Sequence, residues 1–291
     1  SRGIFHSVSA FCNAGFDILG DQGAYISLGG YTGDFVVTVT ISLLIILGGL
    51  GFFVWSDIYS ARDNKGRLHT QSKIVLRSTA LLLLVGTLFF LVAEHDNPQT
   101  MGNQNLFGQL LSAFFQSTTT RTAGYAQLNQ AYLTGASKAM SVALMFVGGS
   151  PGSTAGGVKT VTLAVLLMAA LSSLRGTYQT TVGGRSISYK LVMDALSVFL
   201  LGICSVAIGT FMLSAFDGVT LSAALFECTS AFGTVGLTLG ITPELSTPSL
   251  LVLVALMYLG RVGIITIGMA AMMRGKKDAK IKYPEARVMI G

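Results

Sequence analysis

The chain has 291 residues, 51% hydrophobic and only 11% charged, with a mean hydropathy of +0.65 and a formal net charge of +6. Soluble domains carry roughly 25% charged residues, so this composition excludes a water-soluble enzyme, and its hydrophobicity excludes a disordered chain. Glycine is abundant, at 35 residues, and proline scarce, at 5, which fits membrane helices that pack backbone to backbone. The basic excess reads as the Lys/Arg of cytoplasmic loops rather than a nucleic-acid surface, so no nucleic-acid partner is expected. Cys12, Cys204 and Cys228 show no metal spacing, and His6, His69 and His95 are scattered.

In chain order, the predicted elements begin with a semi-polar stretch at about 3–16, too short and polar to span a bilayer. Residues 35–55 are 21 residues without a charge, the length of a spanning helix, and the helix is expected to run on to 59. Residues 74–93 carry one charge, Arg77, near an end from which it can snorkel. A second semi-polar stretch occupies 104–125. The apolar run 139–172 is interrupted by GGSPGSTAGG at 148–157, where five glycines and a proline rule out regular helix. Non-helical backbone at membrane depth survives only where it lines a cavity or is buried in protein. Residues 191–216, a third semi-polar stretch at 219–237 and an apolar segment at 249–273 complete the series. Arg261 lies near the middle of that last segment.

Three segments hold fourteen of the nineteen basic residues: 60–77, 173–190 and the tail 274–287. They are expected to face the cytoplasm, and the intervening, more acidic segments the outside. The first residues, SRGIFHSVSAFCNAGF, include no initiator Met and no apolar leader; the expectation is of a chain that starts inside a larger protein.

The outer segments repeat. FHSVSAFCNAGF ends on Gly15-Phe16, FFQSTTTRTAGY on Gly124-Tyr125 and FECTSAFGTVGL on Gly236-Leu237. In each, Phe precedes the glycine by ten residues and Ser9, Thr118 or Ser230 precedes it by six. The glycines are 109 and then 112 residues apart, a period that points to duplication. Each unit reads as helix, re-entrant stretch, helix, and all three stretches face one side, so the repeats are parallel. A short helix that dips in and returns as extended chain can aim carbonyls at an axis and replace a cation's water shell. Thr234-Val235-Gly236 resembles the Thr-Val-Gly of potassium-channel filters, in which four such loops usually surround one pore.

These three stretches, together with GGSPGSTAGGVKT, Gly260-Arg261-Val262-Gly263 and the ending KYPEARVMIG, resemble the Trk/Ktr/HKT potassium transporters, most closely the bacterial Ktr-type membrane subunit, across essentially the whole chain. The resemblance implies an all-α integral membrane fold of helix–pore-loop–helix units around a pore, with three of four repeats present. On it, 1–59 is the second pore repeat without its first helix, 60–73 a cytoplasmic loop and 74–175 the third repeat. Residues 176–273 are then the fourth repeat and 274–291 a cytoplasmic tail. The function implied is potassium uptake across the plasma membrane, with a sodium-permeable or sodium-coupled member of the family as the alternative. The filter would use main-chain carbonyls of Asn13, Ala14 and Gly15, of Thr122, Ala123 and Gly124, and of Thr234, Val235 and Gly236, which would hold K+. The family links glycine at the key position to potassium. The gate would be Gly148, Gly149, Ser150, Pro151, Gly152, Ser153, Thr154, Ala155, Gly156 and Gly157, with Lys159 and Arg261; sequence physics alone supports only flexibility there. No cofactor is expected in this chain, with K+ as the transported ion and Na+ as activator or coupled ion. The implied partners are a second copy in a homodimer, membrane lipid, and a cytoplasmic ring of nucleotide-binding regulatory (RCK-type) subunits.

Competing readings of the same residues are weaker. Gly157-Val158-Lys159-Thr160 puts a valine where a phosphate loop needs Gly-Lys in succession. A hydrolase built on Ser150 or Ser153 needs a nearby base, and no histidine lies in a spanning segment. Arg261, costly if unpaired in a membrane, either faces the pore or holds the gate loop by an ion pair or carbonyl contact, and the two are compatible. Lys159 caps the loop or binds its carbonyls. Arg121 is expected to point away from the ion. Glu227 is either a hydrogen-bonded helix residue or an electrostatic aid to cations. Asp57 and Asp194 read as helix-end or interhelical pairs.

Overall fold

The computed structural model describes residues 2–21, 26–61, 67–177, 180–182 and 185–263. The expected cytoplasmic tail 274–291, residues 264–273 of the expected last apolar segment, residues 62–66 of the first basic loop and residues 178–179 and 183–184 of the second lie outside these. The described chain is helical, with α1 at Arg2–Phe11, α2 at Phe35–Leu50, α3 at Phe52–Ala61, α4 at Thr70–Glu94 and α5 at Leu106–Thr119. Next come α6 at Gly135–Phe146, α7 at Thr160–Leu174, α8 at Tyr189–Asp217, α9 at Leu221–Gly233 and α10 at Thr247–Val262. A two-residue antiparallel pair, β1 at Thr181–Val182 and β2 at Arg185–Ser186, sits between α7 and α8.

Local chemistry sets these limits. Asp34, Asn105 and Thr134 each accept a hydrogen bond from a backbone N–H three residues on, at 3.0, 2.8 and 3.2 Å, which caps the starts of α2, α5 and α6. Gly218, with φ +63°, ends α8 in the left-handed conformation that glycine tolerates best. By length and composition α4 and α8 can cross a bilayer, and α2 with α3 counts as a third span if the bent pair is taken together. The helix α5, at 14 residues, is about 21 Å long and falls short of the roughly 30 Å hydrocarbon core.

Polarity is distributed for lipid rather than water. On α8, Ile208 is 60% and Phe211 65% exposed, a cost in water and none among acyl chains. The interior holds the polar groups: Gln116, Ser117, Thr118, Thr119, Thr120 and Thr122 are buried around the end of α5. Apolar packing frames them. Ile41, Ile45, Phe115, Ala123 and Tyr125 form one cluster, and Leu213, Cys228, Phe232, Leu253 and Leu256 another between α8, α9 and α10.

Two expectations need correction. The uncharged run 35–55 is not one straight helix: the chain bends by 88° between α2 and α3. Gly51 at the bend has φ +88°, and a Cβ there would lie 2.7 Å from the carbonyl oxygen of Pro151, so neighbouring backbone occupies the corner. Arg261 is not mid-helix either. It falls in the last turn of α10, because Gly263, at φ +89°, closes the helix after Val262.

Candidate functional site

Each short helix α1, α5 and α9 runs into a turn of one design. Asn13, Thr122 and Thr234 have φ of +50°, +72° and +52°, and Gly15, Gly124 and Gly236 have φ of +69°, +83° and +96°. Successive carbonyls of ordinary extended chain alternate sides; a left-handed residue at every second position breaks that alternation. Left-handed backbone is uncommon for residues other than glycine, so its recurrence at Asn13, Thr122 and Thr234 marks a strained, shared geometry.

The turns satisfy their N–H groups locally. Ala14 N–H donates to Ser9 O at 2.9 Å, Ala123 N–H to Thr119 O at 3.1 Å and Val235 N–H to Ser230 O at 2.8 Å. Hydroxyls reinforce the exits: Ser9 Oγ donates to Phe16 O, and Gly236 N–H donates to Ser230 Oγ. In the second loop the residue six before glycine, Thr118, bonds back to Phe114 O. Its neighbour Thr119 donates to Tyr125 O at 2.6 Å instead. The run Ser117–Thr120 offers several hydroxyls, so counting along the sequence alone selects the wrong one. By contrast, the carbonyls of Asn13, Ala14, Gly15, Thr122, Ala123, Gly124, Thr234, Val235 and Gly236 accept no hydrogen bond from any described residue. Asn13, Thr122, Ala123 and Val235 are buried, where unpaired backbone acceptors are rare, Gly15, Gly124 and Thr234 are half-buried, and Ala14 and Gly236 are exposed; together the nine concentrate the negative ends of their dipoles on three adjacent turns.

The loops lie side by side. A Cβ on Gly15 would sit 2.2 Å from Ala123 O, and one on Gly124 would sit 2.0 Å from Val235 O. Tyr125 Oη donates to Phe16 O at 3.0 Å and ties the second loop to the first. A Cβ on Gly236 would meet only Gly124 Cα, at 3.8 Å, so the arc is open between the third loop and the first. A cleft of about 870 Å³ occupies that side, with Asn13 and Ala14 on one wall, Thr234 and Val235 on the other, and Arg261 also lining it.

The segment 148–157 is pinched at its base, where Gly148 N–H donates to Val158 O at 2.9 Å and Val158 N–H to Phe146 O at 3.1 Å. It enters the bend between α2 and α3: Ser150 N–H donates to Gly49 O and Phe52 N–H to Gly152 O, both at 3.0 Å. It then reaches the turns, since a Cβ on Gly156 would lie 2.2 Å from Thr234 Oγ1 and one on Gly148 3.3 Å from Thr122 Cγ2. Three cations hold its carbonyls. Lys159 Nζ donates to Ala155 O at 2.6 Å, Arg121 Nη2 to Gly148 O at 3.4 Å, and Arg261 Nη1 to Thr154 O. No carboxylate among the described residues pairs with any of the three. Arg121 therefore turns into the protein, and Arg261 both lines the cleft and grips the segment.

Glu227 is buried and fully bonded: it accepts from the Thr238 hydroxyl, Leu239 N–H and the Thr242 hydroxyl at 2.6, 2.9 and 2.9 Å. It fixes the chain leaving the third turn. Asp57 accepts from the N–H and ring of His69, whereas Asp194 is exposed without an ion pair among the described residues. Sequence reasoning does not single out Gly48, and it names Gly260 only within the Gly260-Arg261-Val262-Gly263 motif, without a packing role. A Cβ on Gly48 would meet Phe11 O at 1.9 Å and one on Gly260 would meet Phe232 O at 1.7 Å. These glycines let α2 and α10 press onto the ends of α1 and α9, and the only signal was a small residue in an apolar helix.

A family model described as TrkH, cation transport protein, matches residues 1–282. The potassium/sodium uptake protein NtpJ of Enterococcus hirae is 42% identical over 296 residues, covering 99% of this chain and 63% of that protein. The Ktr system potassium uptake protein B of Vibrio alginolyticus is 37% identical, with 99% and 62% covered, and that of Bacillus subtilis 35%, with 99% and 63% covered. The chain thus spans under two thirds of the length of these curated relatives. The crystal structure of the potassium transporter TrkH from Vibrio parahaemolyticus superposes with a TM-score of 0.74 at 20% identity, over 92% of this chain and 57% of that one. That likeness carries the fold.

Proposed function

The chain belongs to the TrkH cation transport protein family, a family of transporters rather than enzymes, and on that premise we propose that it forms most of a potassium uptake pathway across the plasma membrane. The observation that carries the reading is the set of nine main-chain carbonyls, in three turns of one conformation, that accept no hydrogen bond within the described protein. Such oxygens replace the water shell of a desolvated cation without requiring a fixed negative charge. The open side of the arc is read as the place of a fourth loop contributed by residues outside this sequence.

In this reading the 148–157 segment is the gate. It lies against Thr122 and Thr234 and is held by backbone and by Lys159, Arg121 and Arg261, so its displacement exchanges hydrogen bonds rather than breaking a packed core. Arg261, on the same cleft, opposes cations that dwell there. The basic segments 60–77, 173–190 and the tail face the cytoplasm. The names of the Ktr relatives support a membrane component working with other subunits. The finer proposal, which rests on the family resemblance, is a homodimer on a ring of nucleotide-binding regulatory subunits.

The potassium/sodium name of the Enterococcus relative favours one second reading, in which sodium also passes or activates. Rubidium uptake into proteoliposomes of the full-length protein, with sodium as competitor, separates the two. Uptake that sodium leaves intact and that Gly236→Ser weakens is the expected result. Equal uptake of both ions selects the sodium-permeable reading, and no uptake from folded protein with its regulatory subunits present overturns both.

A further inference from the structure

Away from the loops, α4 and α7 leave a groove of about 350 Å³ near the basic end of α4. Lys73, Ile74 and Arg77 line it from α4, and Ala164, Leu167 and Met168 from α7. Lys73 and Arg77 are four residues apart on one helix, so their side chains stack on one face and repel. Neither has an ion pair among the described residues. Asp57, the acid that α3 brings against the start of α4, is already bonded to His69. Side chains on a helix lean toward its N-terminus, so both cations reach back along α4 to the same end. Arg77 lies seven residues after Thr70, about 10 Å along the axis, which is the depth from which a long cationic side chain snorkels to the headgroups. The facing wall is apolar, and Leu167 is 55% exposed.

We propose that this groove binds an anionic phospholipid, its headgroup phosphate between Lys73 and Arg77 and an acyl chain along Ala164, Leu167 and Met168. Basic pockets between helices on the cytoplasmic side suit such lipids. A soluble phosphate would use the two cations but leave the apolar wall without a role. A shared anion also removes the repulsion of the stacked pair. The groove bears on transport because α7 is the helix that leaves the 148–157 segment through Lys159. A lipid between α4 and α7 holds the exit of that segment against a helix that crosses the bilayer. The inference rests on the membrane and orientation parts of the reading above, and not on the carbonyl loops.

The test is native mass spectrometry of the full-length protein in mild detergent with phosphatidylglycerol and phosphatidylcholine at equal concentration. The expected result is preferential retention of phosphatidylglycerol, reduced about 30-fold in the double variant Lys73→Gln, Arg77→Gln, since each cation near a membrane surface contributes about fivefold. Leu167→Glu leaves both cations in place and is expected to expel the lipid from the apolar side. Millimolar inorganic phosphate should not displace it. Unchanged retention in the variants overturns the proposal. So does displacement by phosphate, which marks a soluble-anion site, or loss of a co-purified cytosolic protein with lipid retention intact, which marks a protein surface. Rubidium uptake by the same wild-type preparation reports separately: lipid retained without uptake counts against the transport reading and for this one.

Discussion

The three carbonyl turns and the 148–157 segment touch one another, yet they are held in opposite ways. Each turn is held mainly by its own helix: the partners of Ala14, Ala123 and Val235 are four or five residues back in the chain. The segment has local bonds too, Gly148 N–H to Val158 O and Lys159 Nζ to Ala155 O, but it adds partners from far away in Gly49, Phe52, Arg121 and Arg261. A short-range structure persists as long as the helix that carries it stays formed. A long-range one is fixed only while its neighbours stay in place. In the proposed function one region selects and the other moves: the same glycine-rich composition serves as a fixed edge or a removable plug according to where its partners come from.

The largest expected effect strikes the rigid region. Gly124→Ala places a Cβ 2.0 Å from Val235 O at φ +83°; the clash adds to a left-handed penalty of about 1–2 kcal/mol. Rubidium uptake should fall by about 100-fold or more. Gly240→Ala sharpens the comparison, because Gly240 has φ +94° but open space where a Cβ would go. An equal loss in both variants would show that strain alone, and not contact between loops, explains the effect.

Next comes the movable region. Arg261→Gln removes a charged grip on Thr154 O, worth about 1.5–3 kcal/mol for a hydrogen bond to a charged group. Uptake should rise by about tenfold, measured as initial rubidium flux. A fall in flux with the protein still folded would assign Arg261 to the pathway rather than the plug.

Ser230→Ala tests the short-range bonding. It deletes the acceptor for Gly236 N–H, a net loss of about 1 kcal/mol, and should cut discrimination of rubidium over sodium about fivefold. Thr154→Val is the smallest change. Its hydroxyl bonds to Phe11 O and Gly48 O are long, at 3.3 and 3.4 Å, so flux should change by less than about twofold. A large effect there would mean that the segment depends on the first loop's helix more than its geometry indicates.

What the sequence made legible follows the same division. The turns were readable because their geometry is local: a glycine with Phe ten residues before it recurs three times, although the hydroxyl six before the glycine bonds across the turn only in the first and third loops. The family resemblance read from those motifs agrees with the family match. The break at 148–157 was visible, as were Lys159 and Arg261 as residues that contact its carbonyls, but no pattern in the segment names Gly49 or Arg121. The 88° bend at Gly51 was missed because the hydrophobicity of 35–55 is uniform, and only the Pro151 carbonyl, a hundred residues on, shows why the corner must be glycine. The end of α10 at Gly263 was hidden likewise inside an apolar run.

The central claim is that free carbonyls of the turns bind the transported ion. Anomalous scattering from thallium or rubidium soaked into crystals of the full-length protein tests it most directly. The account predicts a peak among the carbonyl oxygens of Ala14, Ala123 and Val235, lost when sodium alone is present. Density confined to the side chains of the cleft, or no density at ion concentrations that sustain uptake, would contradict it.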